Sequence, residues 1–192
     1  MSEDIVALME DKGAVLRGHF RLSSGRHSDL FVQKFRVLED PVLAAQLGVR
    51  LAHHFEGGFD VVAAPAVGAI VLGFSVGLAA KKRVIFAERV EGAMSFRRGF
   101  QLDAGERVLV VEDVVTTGGS AREVVDLVEQ AGADVVGVAA LIDRGDPSRP
   151  PDLGAPLTAL ARLTVDSWEE SECPLCERGV PLQDPGSRRA AS

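Results

Sequence analysis

Cysteine is nearly absent from this sequence: Cys173 and Cys176 are the only two in 192 residues. They form a lone CxxC, and a structural zinc site normally takes four ligands, so a second cysteine pair is missing. The four histidines, at positions 19, 27, 53 and 54, lie far away in sequence. The expectation is a pair of reduced thiols in a C-terminal turn, with a metal or redox role as the alternative. A basic surplus is missing too. Arg and Lys number 21 against 28 Asp and Glu, a formal charge of −7. A polyanion needs a basic face, so nucleic acid is not the expected partner. Basic residues are gathered only locally, at Lys81-Lys82-Arg83, Arg97-Arg98 and Arg188-Arg189. The N-terminus, MSEDIVALMEDKG, has neither the basic start nor the apolar stretch of a secretory leader. A soluble, cytoplasmic protein is expected.

What is present is globular: 46% hydrophobic and 26% charged residues, enough for one domain with a real core. No internal repeat or linker interrupts it, so residues 1–192 read as a single domain, with an N-terminal extension over 1–36 and a disordered tail over 185–192. The segment Val61–Ala80 carries no charge and is long enough to span a bilayer. It also contains Pro65, Gly68, Gly73 and Gly77, so a buried strand, a turn and a packed helix explain it better.

The spacing predicts a first helix capped by Ser2, with Ile5, Leu8 and Met9 on one face. Strands follow at 19–22 and 30–34, around the turn-rich Ser23-Ser24-Gly25-Arg26. A second helix is capped by Asp40, has Pro41 at its first position, repeats Leu43, Leu47, Leu51 and Phe55, and ends at Gly57-Gly58. Strands at 60–64, 84–87, 107–111 and 135–142 then alternate with helices at 68–80 and 120–131, with a further strand within 156–165. Such alternation implies an α/β fold: a mostly parallel twisted sheet flanked by helices. Residues 89–99 are polar and Gly-containing, and read as a mobile loop or hairpin.

The most informative stretch is VLVVEDVVTTGGS, Val108–Ser120. A buried strand delivers Glu112 and Asp113 to its C-terminal end, where open α/β sheets bind ligands. Thr116-Thr117-Gly118-Gly119-Ser120 then opens a helix, with Glu123 three residues after Ser120 as in a capping box. Small residues expose backbone N–H groups, hydroxyls add donors, and the helix N-terminus adds a positive dipole end, as a phosphate cradle requires. The two acids would repel that phosphate, so they suit ribose hydroxyls or a divalent cation beside it. Neither GxGxxG nor GxxxxGK[ST] is present, which disfavours the dinucleotide fold and the P-loop.

This order of residues resembles the phosphoribosyl-pyrophosphate signature of the type I phosphoribosyltransferases. Within them, GHFRLSSGRHSDLF at Gly18–Phe31 resembles the N-terminal hood of orotate phosphoribosyltransferases, ALIDR at Ala140–Arg144 resembles the strand end whose Arg holds the orotate carboxylate, and CPLCERGVPL is similar to a C-terminal stretch of one subgroup. The resemblance covers roughly residues 14–182. It implies transfer of phosphoribose from phosphoribosyl pyrophosphate to orotate, with Mg²⁺, in pyrimidine synthesis. On this sequence it implies that Glu112 and Asp113 meet the ribose hydroxyls. Thr116, Thr117, Gly118, Gly119 and Ser120 would hold the 5′-phosphate, Val114 and Val115 would belong to the same phosphoribosyl-pyrophosphate site, and Ala66, Val67 and Gly68 would face pyrophosphate. Thr116, Arg144 and Phe31 would meet orotate. No direct metal ligand is assigned. Many relatives carry Lys where Ser23 and Gly68 stand, and Lys and His in the mobile loop. Here that loop has only Arg89, Arg97 and Arg98 as cations, so these three are the candidate catalytic partners of Asp113. Guanidinium is a competent bidentate phosphate donor. The resemblance also implies a homodimer with the loop reaching into the partner. A phosphoribosyltransferase for another base, or a regulator sensing phosphoribosyl pyrophosphate, are the alternatives. A regulator would be expected to add a basic nucleic-acid-binding element, and none is visible.

Overall fold

The computed structural model describes residues 2–22, 24–55 and 58–185. The side chain of Ser2, Gly57 and the tail from 186 onward lie outside the described residues, so the cap, the helix stop and the disorder expected there do too.

Six strands form the main sheet in the order β5-β4-β3-β6-β7-β8. They are β3 (Val61–Pro65), β4 (Arg83–Val90), β5 (Ala93–Phe96), β6 (Arg107–Val115), β7 (Asp134–Asp143) and β8 (Leu157–Arg162). All neighbours are parallel except β4 and β5, which form an antiparallel hairpin. The parallel strands are covered on both faces. Along β6, Leu109 and Val111 face one core with α3 (Pro41–His53) and α4 (Ala69–Ala80), while Val108 and Val110 face another with α5 (Gly119–Gln130). Alternation along a strand buried on two sides turns a continuous apolar run into two cores.

The uncharged segment is thus split between β3 and α4, and among the described residues no helix is long and apolar enough to cross a membrane. Asp40 caps α3 as expected, accepting from the N–H groups of Val42 and Leu43 at 3.0 and 3.1 Å. Leu43, Leu47 and Leu51 are buried on it, but the helix stops at His53, and Phe55 packs against the core from the following turn. At the α3–α4 crossing a Cβ on Gly48 would lie 2.4 Å from the Ser75 backbone, so only glycine permits that approach.

A second, antiparallel sheet has the order β1-β2-β9, built from β1 (Val15–Arg21), β2 (His27–Val32) and β9 (Ser167–Trp168). Both hood strands start earlier than the sequence suggested, because cross-strand pairing from Val15↔Val32 onward extends them. The third strand comes from the far end of the chain, so the hood is not purely N-terminal. Helix α1 (Ser2–Asp11) buries Ile5 and Met9, and a short α2 (Phe35–Leu38) joins hood to α3. The segment 89–99 takes the hairpin alternative through Phe96. Residues up to Val90 continue β4, Glu91 and Gly92 turn with positive φ of 51° and 91°, and β5 returns. Two consecutive positive-φ residues match the twist of a tight hairpin.

Candidate active site

Strand β6 carries Glu112 and Asp113 into the interior, where they are only 8% and 2% exposed. Glu112 accepts from the Asp113 N–H at 3.0 Å, and the Val114 N–H donates to Asp113 Oδ1 at 2.7 Å. Burial, followed by repulsion from Asp113, pushes the Glu112 carboxyl above the usual carboxylate range. Asp113 has a cation at hand: Lys34 Nζ stands 2.6 Å from Oδ2. Lys34 was not singled out by sequence, which placed it at the end of a strand. It lies just past β2 and carries the hood's charge into the main sheet, a contact that only tertiary structure creates.

Gly68 sits against this pair. A Cβ there would stand 2.0 Å from Asp113 Oδ2 and 2.7 Å from Lys34 Nζ. The Pro65–Gly68 turn, which contains a cis Ala66–Val67 peptide, therefore approaches the acid pair with backbone alone. Val67 is exposed and the Ala66 N–H donates to the Ala87 carbonyl at 2.7 Å.

After β6 the chain turns through Thr116 and Thr117 into α5. Gly118 is the N-cap, with φ 76° and no side-chain cap. A Cβ there would meet Leu153 at 2.3 Å. The expected capping box is not formed. Glu123 instead accepts from Arg89 at 2.7 Å and from the Met94 N–H at 3.1 Å, tying the β4–β5 hairpin to α5. No side chain therefore caps the first turn of α5, and its N–H groups stay available to an anion. Arg89, Glu112, Val114–Ser120 and Glu123 line one open cleft of about 330 Å³.

Arg144 follows β7, and its N–H donates to the Val115 carbonyl at 2.7 Å, which sets it beside the cradle. Its Nε is buried without a hydrogen-bond partner, and desolvation holds the guanidinium below its ordinary pKa. The neighbouring Asp143 is occupied: it accepts from Arg162 Nε at 2.9 Å and from the Gly145 N–H at 2.8 Å. Phe31 lies on β2 of the hood, its ring tilted at 41° to that of Phe20 with centroids 5.8 Å apart. Of the three loop arginines, Arg89 lines the cleft while bonded to Glu123. Arg98 forks onto Glu88 with two contacts of 2.8 Å, and Arg97 is exposed.

Residues 44–156 match the phosphoribosyl transferase domain family. The orotate phosphoribosyltransferase of Pelotomaculum thermopropionicum is 46% identical over 188 residues, covering 97% of this chain and 98% of that protein. The chain belongs to the orotate phosphoribosyltransferase family. The Chlorobaculum parvum member is 45% identical over 99% of this chain and 98% of its own. Among solved structures, the orotate phosphoribosyltransferase from Aeropyrum pernix superposes with a TM-score of 0.69 at 26% identity, covering 83% of this chain and 93% of that one. Family membership makes the chain a pentosyl-transferring enzyme with a type I phosphoribosyltransferase fold.

Proposed function

We propose that this cleft transfers the phosphoribosyl group of phosphoribosyl pyrophosphate to orotate, giving orotidine 5′-phosphate and pyrophosphate in cytoplasmic pyrimidine synthesis. The observation that carries the reading is Arg144, a guanidinium with a buried, unpartnered Nε one strand over from a buried acid pair and an uncapped helix N-terminus. A half-buried guanidinium with an unpartnered Nε suits an anion, and a carboxylate-bearing base supplies it.

In this reading the N–H groups of Thr117 to Ser120 and the hydroxyls of Thr116, Thr117 and Ser120 receive the 5′-phosphate. Val114 and Val115 carry the chain into that turn. Glu112 and Asp113 accept from the ribose hydroxyls. The backbone of Ala66, Val67 and Gly68 faces the pyrophosphate, and Lys34 sets positive charge at that same end. The orotate nitrogen attacks the sugar C1 as the bond to pyrophosphate breaks, so no protein nucleophile is required. Positive charge grows on the ribose and negative charge on the leaving group. The protein positions both substrates, neutralises the departing charge and excludes water. Arg89, Arg97 and Arg98 ride on the one hairpin that can fold over the cleft, and serve as its cations once released from Glu123 and Glu88.

The donor set fits Mg²⁺. Glu112 and Asp113 offer hard carboxylate oxygens beside a polyphosphate site, and Mg²⁺ is commonly held by one or two carboxylates with substrate oxygens. The ion would add charge neutralisation on pyrophosphate.

The enzyme acts as a homodimer. Val71, Phe74 and Leu78 form an exposed apolar stripe at helical spacing along α4, with exposed Val67 in the turn before it and exposed Val42 and Val49 on α3. Phe74→Asp should halve the mass in sedimentation and leave the monomer folded. A parent chain that is already monomeric would remove the dimer. The assay for the activity follows orotate absorbance with phosphoribosyl pyrophosphate and Mg²⁺. Turnover with adenine or uracil but not orotate would overturn the reading.

A further inference from the structure

The lone CxxC does not stand alone in space. His19 on β1, His27 on β2, Cys173 at the N-cap of α6 (Pro174–Glu177) and Cys176 within that helix converge, their ligand atoms all within 4.8 Å of one another. His19 Nε2 lies 3.0 Å from His27 Nδ1, 3.5 Å from Cys173 Sγ and 3.8 Å from Cys176 Sγ. Cys176 Sγ lies 3.3 Å from His27 Nδ1. A tetrahedral zinc ion, with Zn–N of about 2.0–2.1 Å and Zn–S of about 2.3 Å, sets ligand atoms about 3.3–3.8 Å apart. The separations of 3.3, 3.5 and 3.8 Å fall on those edges, the two nitrogens at 3.0 Å stand slightly closer, and no pair exceeds 4.8 Å.

Local structure arranges this. Arg21 pairs with His27 across the hairpin, so His19, two residues back, projects from the same face as His27. A one-residue slip of register between Arg17 and Phe20 makes it so. Without the slip His19 would point to the other face. One turn of α6 brings the two sulfurs of Cys-x-x-Cys to one side. The second nitrogen of His19 is also held: Nδ1 stands 2.7 Å from the Val180 carbonyl, which can only accept. Nδ1 therefore carries the proton, and Nε2 turns its lone pair toward the cluster, as the outer contacts of metal-bound histidines usually ensure. His19, His27 and Cys173 are buried.

We propose that His19, His27, Cys173 and Cys176 hold one structural zinc ion that clamps the hood hairpin to the C-terminal segment. Two imidazoles and two thiols suit zinc rather than the oxygen-seeking Mg²⁺ of the active site. All four positions are filled by the chain, which makes the centre structural rather than catalytic. The ion reinforces a seam already begun by β2–β9 pairing and by the Arg21 N–H bond to the Gln183 carbonyl at 2.9 Å. Its ligands come from the two ends of the chain, so binding closes a long loop that the unfolded chain leaves open.

The test uses the full chain, purified without chelator, desalted, and analysed for metals by mass spectrometry. About one zinc per chain is expected, as a closed four-ligand site requires. Refolding with Co²⁺ should give visible bands of tetrahedral intensity and a near-ultraviolet thiolate-to-cobalt band. Cys176→Ser, the variant at the outer edge of the cluster, should lose the metal and melt several degrees lower, and chelation should lower the parent's Tm to match. Asp113→Asn should keep its zinc. If Cys176→Ser does not fold, the cobalt spectrum of the parent decides. A parent chain that takes up neither zinc nor cobalt stoichiometrically would overturn the proposal. So would a Cys173–Cys176 disulfide in the intact mass under non-reducing conditions, or a Cys176→Ser chain that keeps its metal.

Discussion

At the end of β6, buried charges have open space beside them. Under the hood, four donor atoms fill one another's space. The acid pair borrows Lys34, Glu112 is pushed toward its neutral form, and Arg144 keeps a buried Nε without a partner. In the hood, His19 faces three potential ligands and is braced from behind by Val180. Incomplete compensation of buried polar groups marks a place where a ligand comes and goes. In the hood His27 Nε2 is likewise buried without a partner, and what differs is that four ligand atoms converge on one point, the mark of a place where a ligand stays.

Variants can break that contrast, and the largest effect is expected at Asp113. Asp113→Asn should keep the fold and its melting temperature within a few degrees, yet lower kcat/KM for phosphoribosyl pyrophosphate by up to roughly a hundredfold. Losing a charge-assisted contact is worth about 1.5–3 kcal/mol, and each 1.4 kcal/mol is a factor of ten. Near-normal kinetics would remove Asp113 from the site. Next comes Arg144→Ala, expected to raise the KM for orotate roughly tenfold or more while the sugar substrate shifts little. Equal shifts in both would mean that Arg144 only shapes the strand end.

The hairpin arginines should matter less. Arg89→Ala, and separately Arg97→Ala with Arg98→Ala, should lower kcat several-fold and leave stability nearly unchanged, because exposed ion pairs contribute only about 0–1 kcal/mol. A cation that tightens on departing pyrophosphate acts on kcat more than on KM, so the reverse pattern in initial rates would count against it. The smallest effect concerns Glu112. Its raised pKa means the folded chain holds that proton more tightly than the unfolded chain, so stability falls as pH rises from the unfolded value of about 4.5 through the raised folded one. Glu112→Gln removes this loss. Its Tm advantage of a few degrees should grow with pH, and an advantage independent of pH in thermal melts would mean that Glu112 ionises as freely as in water.

The difference between the two clusters also decided what could be read from sequence. The acid pair, TTGGS and the helix are contiguous in 108–120, so strand, turn and cradle follow from local rules. The alternation of apolar runs located every strand of the main sheet except the short β5. The cluster under the hood is split between residues 19–27 and 173–176, and no spacing rule says which histidine meets a distant CxxC. Deciding it takes the register slip in β1, a property of pairing rather than of composition. Lys34 was hidden for the same reason, since its partner Asp113 lies across the molecule. Glu123 was misread because a tertiary contact with Arg89 and Met94 outcompeted the local cap.

Gly68 carries an evolutionary consequence. The resemblance expects a lysine at this place, and here the space is filled from another element by Lys34. Any side chain at position 68 would collide with both Lys34 and Asp113. The two lysine placements therefore compete for one electrostatic role, because a side chain at position 68 would have to displace Lys34 Nζ. Position 68 and position 34 should covary, and a Gly68→Lys change should be tolerated only in a chain that has already given up Lys34.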